Sequence, residues 1–160
     1  MARVGDSDRA PRLRGARADG GGARGGGGLP LTHEKPIEIR WRDLDAFGHV
    51  NHVVFLTYLE EARDEWLGLA LRDPARVWSF VVAHVEVDYR RELRLEDDAV
   101  VALCSLERIG TSSFTTRETV STRGGELVAE ASAVLVARDE ETGRSRPLTD
   151  DERAALTATL

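Results

Sequence analysis

The densest run of chemically competent side chains is Trp41-Arg42-Asp43-Leu44-Asp45-Ala46-Phe47-Gly48-His49-Val50-Asn51-His52. A helical pattern starts directly after it, so the run reads as a loop that ends at a helix N-terminus. Such a terminus presents unpaired backbone N–H groups and a partial positive charge, and is suited to holding an oxyanion. A nearby carboxylate can serve as nucleophile or general base. Gly48 lacks a Cβ and would let another backbone approach closely. Together these features point to acyl transfer or hydrolysis. Asp43, Asp45, His49 and His52 are also metal-ligand types, but a structural site usually needs a second ligand cluster. His33 and His84 are the only other histidines, so no metal is expected. Loop aspartates also cap turns, and that is the expected role of Asp43.

The loop has to be positioned by the elements around it. Ile37, Ile39 and Trp41 alternate with Glu38 and Arg40, which predicts a strand ahead of it. Behind it, Phe55, Leu59, Ala62, Trp66 and Leu69 recur at spacings of three and four, which predicts a helix over about 53–71. Asn51 is its expected N-cap, and Pro74 lies beyond its end. The period then changes to two. Val81, Ala83, Val85, Val87 and Tyr89 form one face of a strand. Strands over 99–109 and 113–122 follow, separated by a turn at 110–112. After Gly124-Gly125, the alternation of Leu127, Ala129, Ala131, Ala133 and Leu135 marks a fifth strand. Short turns between successive strands predict an antiparallel meander. Thr149 and Glu152 fit a capping box for a short C-terminal helix. The class is α+β: one long helix covered by a strongly curved antiparallel sheet of about five strands. The other sheet face and an edge remain for self-association. Parallel βαβ alternation is missing, which excludes a dinucleotide-binding sheet.

Composition narrows the function classes. The chain has 160 residues, enough for one domain, and a net charge of −6, which argues against nucleic acid as a partner. The single cysteine, Cys104, cannot form an internal disulfide and is expected as a small buried hydrophobe. No apolar run is long enough for a bilayer, and no apolar segment follows the N-terminal arginines, so a cytoplasmic protein without membrane contact is expected. Residues 1–29 hold nine of the fifteen glycines and six arginines. They cannot bury enough surface to offset chain entropy and read as a disordered tail. The folded domain is expected over 30–160.

Three segments carry a resemblance: Arg40-Trp41-Arg42-Asp43-Leu44-Asp45, Gly48-His49-Val50-Asn51-His52 and Tyr58-Leu59-Glu60-Glu61-Ala62-Arg63. With Val87-Asp88-Tyr89 and Gly110-Thr111-Ser112-Ser113-Phe114, they make residues 37–136 closely similar to the 4-hydroxybenzoyl-CoA thioesterase-like family of hotdog-fold acyl-CoA thioesterases. The resemblance implies a hotdog fold, a homodimer or homotetramer with active sites between subunits, and hydrolysis of an acyl-CoA without metal or redox cofactor. It implies Asp45 as the catalytic carboxylate, acting as base or nucleophile. It implies the His52 backbone N–H as oxyanion donor, with the His52 side chain as a second catalytic candidate. Substrate contacts are expected from Gly48, His49, Asn51, Tyr58, Arg90, Thr111 and Ser112. Relatives often carry basic residues at the turn where this chain has Thr111 and Ser112, so Arg90, Arg91 or Arg117 would have to supply charge for the nucleotide phosphates. An acyl carrier protein as thiol carrier and a non-catalytic acyl-thioester binding module are the alternatives. Glu60 and Glu61 are expected in structural pairs. Trp66, Phe55 and Phe114 are expected in the core, and His84 as a hydrogen-bonded structural residue or a lining of the acyl pocket.

Overall fold

The computed structural model describes residues 32–158. The Gly/Arg-rich segment 1–29, expected above as a disordered tail, lies outside the described residues. In chain order the elements are β1 (His33–Glu38), α1 (His52–Leu71), β2 (Phe80–Tyr89), β3 (Ala99–Ile109), β4 (Ser113–Thr122), β5 (Leu127–Ala137) and α2 (Asp150–Thr157). The five strands form one antiparallel sheet in the order β1-β3-β4-β5-β2. The α1 helix lies against this sheet, and Phe55, Leu59, Ala62 and Trp66 are buried with Phe114, Val120 and Ala133 in one core. The α+β class with a long central helix is as expected.

Helix α1 starts where the Asn51 side chain caps it, accepting from the Val53 N–H at 3.0 Å. It ends at Arg72, whose φ of 54° takes the chain out of the helix. Two details of its face differ from the sequence pattern. Leu69 is 55% exposed, whereas Arg63 is buried. The reason is an internal partner: Arg63 Nη1 lies 3.0 Å from both carboxylate oxygens of Glu118 on β4. Acidic residues repeat along the exposed face, and β1 offsets them. Lys35 pairs with Glu65 and with Glu61, the latter at 3.6 Å, and His33 pairs with Glu65 at 2.8 Å.

The sheet corrects three expectations. The first strand is His33–Glu38, not a run through Trp41, which opens a 3-10 turn (Trp41–Asp43) and is 80% exposed. Only β3, β4 and β5 form the meander. β2 pairs with β5 rather than β3 and becomes an edge, because the segment from Arg90 to Asp98 carries the chain across to the far side. On that edge the register shifts between Val82 and His84, and Val81, Val82 and His84 are exposed. His84 therefore lies on the exposed edge and not in the core. Cys104 is fully buried, and burial pushes its thiol pKa well up.

Candidate active site

The loop between β1 and α1 closes on itself. Leu44 and Val50 form an isolated antiparallel bridge. Inside it the Asp45 N–H donates to the His49 carbonyl at 2.7 Å, and the Gly48 N–H donates to the Asp45 carbonyl at 3.1 Å. Gly48 has a φ of +75°, and a Cβ built on it would meet nothing within 4 Å. Glycine is therefore required there by backbone conformation, and no second backbone of this chain presses against it.

This turn sets the Asp45 carboxylate. Oδ1 accepts from the Phe47 N–H at 2.8 Å and the His49 N–H at 3.2 Å. Oδ2 accepts no hydrogen bond among the described residues. Asp45 lines a cleft of about 400 Å³ with His49, His52, Phe55, Tyr89 and Arg90. Asp43 points the other way. It is buried, and its Oδ2 accepts from the Tyr58 hydroxyl at 2.7 Å and the Arg40 N–H at 2.9 Å. Its carbonyl accepts from the Asn51 N–H at 2.8 Å. Asp43 thus ties the loop entrance to the helix start, as a structural aspartate. Burial, with the Asp43 hydrogen bond, pushes the Tyr58 phenol pKa well above its usual value. Tyr58 was expected at the substrate; in this chain it lies inside and supports Asp43.

The helix start supplies the second half of the site. Asn51 caps α1, so its side chain is committed to the backbone. The His52 N–H opens the helix and has no acceptor among the described residues. Its ring stands edge-on to Tyr89 at 6.5 Å between centroids, and the Tyr89 hydroxyl donates to the His52 carbonyl at 2.9 Å. Tyr89 also packs edge-on to Phe55 at 5.3 Å. The role of Tyr89 in holding the helix start was not anticipated. Its signal was modest: it ends the alternating pattern of β2, just before the charged run Arg90-Arg91-Glu92.

The structure therefore brings together Asp45, His49, His52 and Arg90 in one cleft; Gly48 and Asn51 do not line it but set the turn and the helix cap beside it. Arg90 is engaged by Glu130 at 2.8 Å and Asp88 at 3.3 Å. Thr111 and Ser112 are not part of the cleft. Their carbonyls accept from Leu148 and Ala137, and Phe114 beyond the turn packs on Trp66. Trp66 lies roughly 20 Å along α1 from His52, at 1.5 Å per residue. A cation nevertheless reaches that turn: Arg153 of α2 donates to the Gly110 and Thr111 carbonyls at 3.0 and 3.3 Å. Among the described residues no three His, Cys, Asp or Glu side chains converge as metal ligands, because Asp43 and Asp45 diverge. None of their helices is long and apolar enough to cross a membrane.

Comparison with known proteins shows the family. Residues 39–156 match the family model of the thioesterase-like superfamily. Over 125 residues the chain is 30% identical to the long-chain acyl-CoA thioesterase FadM of Escherichia coli, covering 75% of this chain and 93% of FadM. Among solved structures it resembles a thioesterase from Thermus thermophilus complexed with coenzyme A and zinc, with 33% identity and a TM-score of 0.69, covering 79% of this chain and 92% of that one. It also resembles a predicted thioesterase from Bacillus stearothermophilus, with 28% identity and a TM-score of 0.74, covering 81% and 97%. The family model spans most of the chain and the fold is shared with these structures, so the chain belongs to the thioesterase-like superfamily as a thioester hydrolase of the hotdog fold.

Proposed function

We propose that the chain hydrolyses acyl-CoA thioesters, with Asp45 as the catalytic carboxylate and the His52 N–H as oxyanion donor. One observation carries the reading: Asp45 has one oxygen held by two backbone N–H groups and the other free, in the same cleft as the unpaired N–H at the start of α1. Acyl-CoA as substrate is supported by the likeness to FadM and to the coenzyme A complex. In the base route, Asp45 Oδ2 takes a proton from water and the hydroxide adds to the thioester carbonyl. The His52 N–H holds the resulting oxyanion, the C–S bond breaks, and the thiolate leaves with the proton that Asp45 held. In the nucleophile route, Oδ2 itself adds to the carbonyl, the thiolate leaves, and water hydrolyses the mixed anhydride. The His52 ring, edge-on to Tyr89, lines the same cleft.

The site is completed by a second copy. β2 is a long sheet edge with exposed Val81 and Val82 and unpaired backbone groups, the kind of edge that pairs with another strand. The Tyr89 end of β2 lies beside the Asp45 cleft. Its Phe80 end pairs with Ala137, whose N–H reaches Ser112. Antiparallel pairing of β2 with β2 of a second copy brings the Thr111, Ser112 and Arg153 end of one chain to the Asp45 cleft of the other. These hydroxyls and the guanidinium would meet the phosphates of coenzyme A.

Thiol release from a panel of acyl-CoA esters tests this reading in Asp45→Asn. The amide still accepts from the Phe47 and His49 N–H groups, so the turn survives and only the charge is removed. Loss of about 10²–10⁴-fold in kcat is expected, the usual range for a positioned acid or base. Release at the parent rate would refute the role of Asp45. Tight acyl-CoA binding without release by the parent protein would instead mark a binding module.

A further inference from the structure

The turn that carries Asp45 has little packing to hold it. Ala46, Phe47 and Gly48 are all exposed, and Phe47 is 81% exposed. His49 holds Asp45 at two points, beside the bond from the Phe47 N–H: its N–H donates to Asp45 Oδ1, and its carbonyl accepts from the Asp45 N–H. Its ring reaches the connection between β2 and β3. There Nε2 lies 2.9 Å from Arg94 Nη2 and 3.1 Å from Glu92 Oε2. A bare Nε2 accepts from Arg94, and a protonated Nε2 donates to Glu92, so one contact exists in either ring state.

The far end of this contact is itself braced. Arg94 donates from Nε and Nη2 to Glu92 Oε1 at 2.9 and 2.7 Å, and its N–H donates to Asp97 Oδ2 at 2.8 Å. The Arg94 guanidinium holds the Glu92 carboxyl below its usual range. A second tie runs alongside, from the Val50 N–H to the Leu93 carbonyl at 2.8 Å.

We propose that His49 is a positioning residue: its ring, seated between Glu92 and Arg94, braces the Asp45 turn against the β2–β3 connection and sets where Asp45 Oδ2 points. This rests on Asp45 being the catalytic carboxylate. The Glu92 and Arg94 side chains are half-exposed, and such ion pairs add little stability. Their effect is therefore in geometry, where a misplacement of about 1 Å can cost about 10²-fold in rate.

The test compares His49→Ala, His49→Gln, Arg94→Ala and the His49→Ala/Arg94→Ala double variant with parent and Asp45→Asn. In His49→Ala, kcat is expected to fall about 10–100-fold with KM and thermal midpoint nearly unchanged. His49→Gln, whose amide can accept from Arg94 or donate to Glu92, recovers most of the rate. The double variant is no slower than His49→Ala, because both changes remove one brace. Amide hydrogen exchange at Phe47 and His49 speeds up in His49→Ala. A raised KM with kcat retained, additive losses in the double variant, or unchanged exchange would each overturn the proposal. Full activity of Asp45→Asn would instead sink the assignment of Asp45, and exchange would still report whether the brace exists.

Discussion

Glu118→Ala removes one half of a buried ion pair, and its cost can be worked from the contacts. Glu118 is 0% exposed and Arg63 4%. Both Glu118 oxygens lie 3.0 Å from Arg63 Nη1, and the Thr116 hydroxyl donates to Oε1 at 2.6 Å. Arg63 Nε already has no hydrogen-bond partner among the described residues. With Ala at 118, a buried guanidinium loses its counter-charge and the Thr116 hydroxyl keeps just the longer contact to the Ala133 carbonyl at 3.4 Å. Breaking a buried pair from one side costs about 3–5 kcal/mol, against a total stability of about 5–15 kcal/mol for a typical protein. Glu118→Gln keeps an acceptor for Thr116 and is expected to cost about half as much, roughly 2 kcal/mol. The Arg63→Met/Glu118→Leu double variant buries no charge and is expected within about 1 kcal/mol of the parent, or above it. Urea unfolding at one fixed protein concentration measures all three, since self-association would otherwise shift the midpoint. A loss below about 1 kcal/mol in Glu118→Ala would refute the reasoning, because such tolerance requires water at the pair. So would a double variant as unstable as the single one.

Three further changes probe the site's supports. Tyr58→Phe removes one of the two hydrogen bonds on the Asp43 carboxylate and is expected to cost about 1.5–3 kcal/mol in a urea melt while leaving KM unchanged; a raised KM would return Tyr58 to the substrate. Gly48→Ala meets no steric obstacle but must adopt a φ of +75°, so it is expected to cost about 1–2 kcal/mol, with Gly48→Asn cheaper; equal melting of the two variants would contradict this. Glu152 is buried and held by Arg146, so its carboxyl is lowered to about 2 from 4.5. A lowered carboxyl stabilises the fold above its unfolded value and loses that contribution as pH falls toward 2. The gap amounts to about 3 kcal/mol, and the parent's stability advantage over Glu152→Gln should shrink from pH 5 to pH 2; a constant difference would speak against it.

Local chemistry explains what could be read from residues alone. The bounds of β3 and β4 follow from alternation between turn residues, and α1 begins at Asn51 because its side chain satisfies a helix N–H that nothing else would. Thr149 and Glu152 form the expected capping box for the same local reason. The Asp45 loop was legible too, since a carboxylate run abutting a helix start is a pattern within a dozen residues.

Long-range choices were not legible, because alternation says that a strand has a buried face but not which strand lies beside it. Pairing β2 with β5 made an edge of a strand that reads as a core element, and exposed His84. Apolar spacing put Leu69 inside and did not include Arg63, yet Glu118 on β4 supplied the counter-charge that let Arg63 be buried. Arg153 and Arg94 belong to segments about 40 residues from the groups they meet, the Thr111 turn and the His49 ring. Sequence by itself determined the elements after β1, their caps and the carboxylate at the helix start, since these depend on neighbours along the chain. Tertiary structure decided which edge is open, which charges are buried and what steadies Asp45, since those depend on partners that only folding brings within hydrogen-bond range.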